Sequence, residues 1–450
     1  MSNKSKQQLF ATRLGVIAAT VGSTVGLGNI WRFPYEAGVH GGGAFLIIYI
    51  FFILILGVPV LCAEFAIGRS THSNVLGCFR MLKPHQPFWR IVGIIGVTSG
   101  VMILSFYSVI AGWTLEYFIA SLKGDIAGRS TDEFHTMFGD FTVGMRPIVW
   151  TVVFLLINYC VIVRGVQKGV EKASNVLTPA LMVLLIVFCI NSLMMPGAAE
   201  GLKFLFKPDF SRITPAVVIG AMGQAFFSLS LGLGCMLTYA SYFPDKTPLV
   251  RSATVTVGLD VMTALMAGIL IFPVVFTYGF SPQEGPTLVF EVLPAIFSQL
   301  SGGWFWAPLF FLMLFLASLT STISMSEIGI AWLTQERGMS RSKACVLVIA
   351  VAMVCGVACA LSFSYWAGLK LPLVGEFNVF GFFDYTSSNV LLPLGGMLIS
   401  IFAGWILDRT ILRRELTHPR TLLSSLTPVI VFLLRYVSPV MILVIFIANI

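Results

Sequence analysis

Val21-Gly22-Ser23-Thr24-Val25-Gly26-Leu27-Gly28-Asn29-Ile30-Trp31-Arg32-Phe33-Pro34-Tyr35 occupies the second half of the first long apolar run of the chain, near 12–37. Three glycines and two hydroxyl residues fall where a long apolar helix would be most deeply buried. Glycine weakens a helix by about 1 kcal/mol relative to alanine. The stretch therefore predicts a helix that breaks around 22–28. A break leaves the carbonyls of one half and the N–H groups of the other without helical partners. The carbonyls suit cations and the N–H groups suit anions. The plainer alternative is that the glycines only let neighbouring helices approach closely.

The surroundings of this stretch fix the fold class. Of 450 residues, 57% are hydrophobic and 11% are charged, against roughly 25% charged in soluble domains. Most of the surface therefore cannot face water, and the length divides into spans of roughly 20 residues. Apolar runs fall near 12–37, 43–69, 89–122, 146–163, 170–194, 215–241, 249–278, 304–334, 343–363, 376–407 and 424–449. The expectation is an all-α polytopic membrane protein of about eleven transmembrane helices, with the lipid bilayer as its solvent. The segment 279–302, with Pro282, Pro286 and Pro294, reads as an outer re-entrant or surface hairpin.

The formal net charge of +8 is spread thinly, with no basic run and no interleaved aromatic platform, so no nucleic-acid partner is expected. The basic residues instead follow the positive-inside rule. With the polar Met1 to Gln8 stretch on the cytoplasmic side and an odd number of spans, twenty of the 28 Lys and Arg residues fall inside and eight outside. This predicts a multi-pass cell-membrane protein with a cytoplasmic N-terminus and an external C-terminus. Residues 1–8 carry no signal-peptide pattern. The eight cysteines, Cys62, Cys78, Cys160, Cys189, Cys235, Cys345, Cys355 and Cys359, form no CxxC pair. They read as small buried hydrophobes.

A second interruption, Phe227-Ser228-Leu229-Ser230-Leu231-Gly232-Leu233-Gly234, sits in the sixth run. The first and sixth spans each open a block of five helices. Paired Gly-interrupted helices in corresponding positions of two inverted halves mark a midplane binding site in secondary transporters. The expected organisation is a tail (1–11), a first repeat (12–194), a second repeat (195–407), and a loop with the eleventh span (408–450).

Few acids lie inside spans: Glu64, Glu116, Asp260, Glu327 and Asp384. Each costs roughly 2.5–3.5 kcal/mol at the centre of a membrane helix and so should face protein, water or a cation. Glu64 reads as a structural carboxylate tied to unwound backbone N–H groups or to an arginine. Glu327 is open between that and a functional role. Glu116 lies near the outer end, where it could reach water. Asp260 has no basic residue within a helical turn, so it should hold either a proton or a cation. Thr320-Ser321-Thr322, preceded by Ala317 and Ser318, brings three hydroxyls to depth in the eighth span. They either bond back to their own helix or supply neutral oxygens to a hard cation.

Several motifs carry a family resemblance. Arg13-Leu14-Gly15, the Val21 to Tyr35 stretch and Gly41-Gly42-Gly43-Ala44-Phe45 are joined by Gly57-Val58-Pro59 with Glu64, and by Trp113-Thr114-Leu115. Gly223-Gln224 with Phe226 to Gly234, Tyr239-Ala240-Ser241-Tyr242, and Asp384 before Ser388-Asn389 complete the set. Together they resemble the neurotransmitter:sodium symporter family along essentially the whole chain. The likeness is to its bacterial amino-acid transporter branch, including members that stop after the eleventh helix. The resemblance implies a LeuT-like fold with an inverted 5+5 repeat and broken helices 1 and 6. It also implies a symporter that carries a small amino acid with sodium by alternating access.

Carried over position by position, the resemblance implies two sodium sites. One uses the carbonyl of Thr24, the side chains of Asn29, Ser228 and Asp260, and the substrate carboxylate. The other uses the carbonyls of Gly22, Val25 and Ala317 with the hydroxyls of Thr320 and Ser321. The substrate carboxylate would meet N–H groups near Leu27 and Gly28 and the Tyr107 hydroxyl, and its amine the carbonyls of Ser23, Phe227 and Ser228. Ile103, Phe227, Ser230, Leu233, Ser321 and Met325 would surround the substrate side chain. That lining holds no charge, so an apolar or aromatic amino acid is expected. Amine-carrying members have an aspartate where this chain has Gly26, so here the substrate must bring its own carboxylate. Chloride-dependent members have a neutral residue at the Asp260 position, so no chloride requirement is expected.

Arg32 and Asp384 match an outer gate, with Tyr107 and Phe227 as the lid. The inner gate departs from the family, with Gln7 and Gln335 replacing an ion pair and Phe10 replacing a tryptophan, beside Tyr242. A Gln–Gln bond is weaker, so the inner gate would open more easily or use Lys6 with Glu336. His40 replaces an asparagine. Gly169, followed by Pro179 in the fifth span, reads as an unwinding point, and Gly169→Ala is expected to slow sodium release. Two other readings compete: a non-transporting amino-acid sensor on the same fold, and an intramembrane enzyme. All five histidines lie in loops or at span ends, and no Walker A sequence is present, which disfavours an enzyme or a nucleotide-driven pump.

Overall fold

The computed structural model describes residues 8–126, 128–280, 289–299, 302–371, 377–417 and 425–449. Among them, eight helices are long and apolar enough to cross a membrane, or up to ten when each of two bent pairs counts as one span. These eight are the second (Gly43–Thr71), third (within Pro87–Lys123), fifth (Val166–Leu193), seventh (Leu249–Thr277), eighth (Gly303–Glu336), ninth (Arg341–Leu361), tenth (Val379–Ile406) and eleventh (Thr427–Ala448) spans. The first is the bent pair Arg13–Thr24 and Gly28–Val39, at 49°. The fourth, Arg146–Ile162, follows a short helix at 72°. The sixth divides into Pro215–Ser228 and Cys235–Ser241, pieces individually too short to cross. The eleven expected spans are thus accounted for, with boundaries within about four residues.

The two breaks have different local causes. At the first, Val25 is extended (φ −77, ψ 106) and the outer half restarts in a widened π turn, Gly28–Arg32. At the second, Ser230, Gly232 and Gly234 adopt positive φ of 51°, 81° and 83°. A methyl at Gly232 would run into the Leu392 carbonyl and the Gly396 backbone of the tenth span. Glycine there serves close approach as well as the break, so both alternatives for glycine in these helices apply.

The connections hold more structure than expected. A helix Thr131–Thr142 starts at a capping box of Ser130 and Glu133, the S-x-x-E pattern that marks a helix start. Within 279–302, Val292–Gln299 is helical and Leu293, Ala295 and Ile296 are buried; Pro282 and Pro286 lie outside the described residues. All eight cysteines are free, and six of them are buried; Cys160 is exposed and Cys355 half-buried.

Candidate functional site

Side chains of neighbouring spans, and Asn29 of the first span itself, hold the broken backbones in place. The Leu27 N–H donates to the Tyr107 hydroxyl oxygen at 3.0 Å, and the Gly26 N–H to Asn29 Oδ1 at 3.4 Å. Gln224 Nε2 donates to the Gly28 carbonyl at 3.0 Å. In the sixth span the Gly232 N–H donates to Glu64 Oε1 at 2.8 Å. Glu64, fully buried, is the structural carboxylate the sequence suggests.

Asp260 is fully buried, as is Asn29. Its carboxylate accepts from Asn29 Nδ2 at 2.8 Å and from the Ser228 hydroxyl at 2.7 Å. Asn29 Nδ2 also lies 3.1 Å from Ser228 Oγ. The Thr24 and Tyr49 side chains are its other hydrogen-bonding neighbours, and the Tyr49 hydroxyl donates to Ser228 Oγ at 3.3 Å. Every one of these partners is uncharged. A carboxylate so enclosed requires a compensating proton or cation. Four residues expected to share one site, Thr24, Asn29, Ser228 and Asp260, therefore meet. Tyr49 was not expected; its only sequence signal is a phenol within an otherwise apolar run.

The second expected cluster forms where the first, fifth and eighth spans cross. A methyl on Gly22 would lie 2.7 Å from Thr178 Oγ1 and 3.4 Å from Thr320 Cβ. The Thr320 hydroxyl donates back to the Ala317 carbonyl at 3.0 Å, the plainer of its two alternatives. Val25 and Ala317 are fully buried, and Ser321 Oγ faces Gly26. Thr178, which donates to the Ala18 carbonyl at 3.1 Å, joins the cluster unannounced by the sequence.

Between the two clusters lies a cavity of about 30 Å³. Ser23, Thr24, Gly28, Ile103, Tyr107 and Phe227 line it, as do Ser228, Ser230, Leu233, Ser321 and Met325. Of the expected substrate residues, Leu27 alone is not in the wall; its side chain packs in the core and its N–H serves Tyr107. Gly26 and Leu392 complete the lining. Leu392 had no signal beyond apolarity.

The outer-gate residues are differently partnered. Arg32 lies over the Phe227 ring at 4.3 Å, and its ion-pair partner is Glu36 at 3.5 Å. Asp384 accepts from the Ser388 hydroxyl at 3.1 Å and is reached electrostatically by Arg32. Glu36 stands one helical turn from Arg32 and competes for it. His40 Nδ1 lies 3.3 Å from the same Glu36, and its ring stacks on Phe45 at 5.6 Å. That contact raises the His40 pKa above the ordinary imidazole value.

At the opposite end, Phe10 is buried with its ring edge-on to Tyr239 and Tyr242, and its N–H donates to the Tyr242 carbonyl at 2.9 Å. Gln7 and Lys6 lie outside the described residues. Gln335 Oε1 accepts from the Asn74 N–H at 2.6 Å. Glu336, the expected partner of Lys6, is paired with Arg80 at 2.5 Å. Glu327 resolves toward structure: Arg341 engages both its oxygens at 2.9 and 2.7 Å, and the Tyr242 hydroxyl donates to it at 2.8 Å. Glu116 does not reach water. It is buried and held by Arg146 and Trp150 Nε1.

Gly169 lies in a widened turn, Val166–Glu171, that opens the fifth span, and Pro179 is inside the helix. Next to Gly169, the buried Glu171 carboxylate accepts from the Ala11 N–H (2.8 Å), the Thr12 N–H (3.1 Å) and the Thr12 hydroxyl (2.9 Å). Gln167 Nε2 donates to the Leu9 carbonyl at 2.7 Å. Glu171 sits between Lys168 and Lys172 at a span edge, and no local pattern there marks a partner in the first span.

A profile described as the "Sodium:neurotransmitter symporter family" matches residues 7–137 and 141–450. The uncharacterised sodium-dependent transporter YhdH of Bacillus subtilis is 37% identical over 99% of this chain and 98% of its own. An uncharacterised sodium-dependent transporter of Haemophilus influenzae is 35% identical over 100% and 99%. The crystal structure of MhsT in complex with L-phenylalanine superposes with a TM-score of 0.90 at 39% identity, covering 99% of this chain and 100% of that one.

Proposed function

The chain belongs to the sodium:neurotransmitter symporter family, a family of sodium-coupled transporters rather than enzymes, and from that membership we propose that it imports an apolar or aromatic L-amino acid together with sodium. The observation that carries this reading is the buried Asp260 carboxylate with only neutral partners, sharing Ser228 and Thr24 with the central cavity. Sodium there offsets the carboxylate, and the substrate carboxylate completes its shell. The Thr24 carbonyl and the Asn29, Ser228 and Asp260 side chains form one site. The Gly22, Val25 and Ala317 carbonyls with the Thr320 and Ser321 hydroxyls form the other. Thr320 must then turn its proton, though not its oxygen, away from the cation.

The substrate carboxylate takes the N–H groups at Leu27 and Gly28 and the Tyr107 hydroxyl, while its side chain lies among Ile103, Phe227, Leu233, Met325 and Leu392. That environment is apolar, and L-phenylalanine occupies the structure of the similar MhsT. Arg32, Asp384, Tyr107 and Phe227 close the outer side. Phe10, Gln7, Gln335 and Tyr242 close the inner side, with the N-terminus in the cytoplasm. Because Asp260 carries its own negative charge, chloride is not needed. Uptake of radiolabelled L-phenylalanine and L-leucine into proteoliposomes tests this. Uptake should follow an inward sodium gradient and persist when gluconate replaces chloride. Loss of uptake without chloride, or uptake without sodium, would sink the reading.

The fifth span supplies a second prediction. Gly169→Ala is a poor probe of unwinding, because its methyl would press on the Val161 carbonyl at the end of the fourth span. Pro179→Ala is cleaner, since it restores one backbone donor and removes a ring clash. It should slow net uptake several-fold while leaving substrate exchange little changed. Equal slowing of both would count against unwinding as the release step.

A further inference from the structure

Away from the central cavity, the first turns of the first span (Arg13–Thr24) and the seventh (Leu249–Thr277) enclose a second cavity of about 250 Å³. Its wall has two chemistries. Arg13, Arg251 and Ser252 are polar; Val16, Ile17 and Val255 are apolar. Both arginines are exposed, and the nearby acids are engaged elsewhere: Glu171 with Ala11 and Thr12, and Asp245 with His72 at 3.1 Å. No ion pair joins either arginine to a carboxylate among the described residues. The seventh span starts at Pro248 without a side-chain cap, so its first N–H groups add positive potential nearby.

The apolar half of the wall reaches the protein surface at Val255, 36% exposed, and Leu14, 65% exposed, lies beside the wall in the same turn as Arg13; acyl chains would cover such side chains and water would not. Arg13 opens its span and Arg251 sits in the first turn of the other, and the ends of spanning helices are where basic side chains meet headgroups. A guanidinium fork matches a phosphate diester in two-point geometry.

We propose that this cavity binds one anionic phospholipid, its phosphate between Arg13 and Arg251 and an acyl chain along Val16, Ile17 and Val255. The lipid bridges the start of the first span to the seventh, beside the helix half that Glu171 holds from the other side. A soluble phosphate would use the arginines and leave the apolar wall bare; a zwitterionic lipid would fill the wall without favouring the arginines.

Native mass spectrometry of the intact protein, titrated with phosphatidylglycerol or phosphatidylcholine, tests the assignment. Wild type should retain one phosphatidylglycerol in preference to phosphatidylcholine. Arg13→Gln or Arg251→Gln should weaken that binding about five-fold and the double variant about thirty-fold, equivalent to about 1 kcal/mol per basic residue at an anionic surface. The double lysine variant should recover most of the affinity, and Arg409→Gln, an exposed arginine elsewhere, should change nothing. Unchanged thermal unfolding of the double variant checks that it folds; if it unfolds early, the single variants carry the comparison. Equal retention by wild type and the arginine variants, equal affinity for both lipids, or displacement of phosphatidylglycerol by millimolar inorganic phosphate would each overturn the proposal.

Discussion

Asp260→Asn lowers sodium-driven uptake in chloride-free buffer by about two to three orders of magnitude, and added chloride restores part of it. The side chain keeps its size and can still accept from Ser228. What it loses is the negative charge in a fully buried pocket whose other groups, Asn29, Ser228, Thr24 and Tyr49, are neutral. Removing one member of a buried charge pair costs roughly 3–5 kcal/mol, and 1.4 kcal/mol is tenfold. A mobile anion near the same place can replace the missing charge, which is why chloride should help the variant and leave the parent unaffected. Sodium titration by thermal shift reads the effect directly. An unchanged sodium midpoint in the variant would mean that Asp260 carries a proton instead.

Gly232→Ala abolishes uptake and lowers stability. Position 232 has φ 81°, where a side chain costs about 1–2 kcal/mol. Its methyl would also meet the Leu392 carbonyl and the Gly396 backbone, adding about 1–3 kcal/mol of overpacking. Backbone cannot yield as a flexible side chain does. The tenth span would shift with Leu392 in the cavity wall, and the Gly232 N–H would leave Glu64. Gly258→Ala, in the seventh span with open space around it, is the matched control and should transport normally. Wild-type uptake by Gly232→Ala would show that transport does not depend on this break.

The fold was legible because membrane burial leaves coarse marks: long apolar runs, glycine clusters at depth, and isolated acids. The convergence of Thr24, Asn29, Ser228 and Asp260 was legible only through the family motifs, since their spacing along the chain says nothing of distance. Partnership was the harder property to read. Glu116 was left free in the sequence and Glu336 was offered only Lys6, because Arg146 and Arg80 lie far from them in the chain. Arg32 was assigned to Asp384, although Glu36 stood one turn away. Tyr49, Thr178 and Leu392 contribute single atoms or a methyl surface to clusters built by other spans, and no local pattern marks them. The helix at Thr131–Thr142 is different, because the capping box of Ser130 and Glu133 is a local pattern in the sequence.

The Glu171 carboxylate accepts three donors from the start of the first span. Releasing one donor leaves the charge buried and poorly satisfied, a state worse than either full attachment or full hydration. Detachment is therefore cooperative. The inner end of the first span and the opening turn of the fifth should move together, on one timescale and with one activation barrier. Amide hydrogen exchange at Ala11 and Thr12 would then report the opening of a different helix.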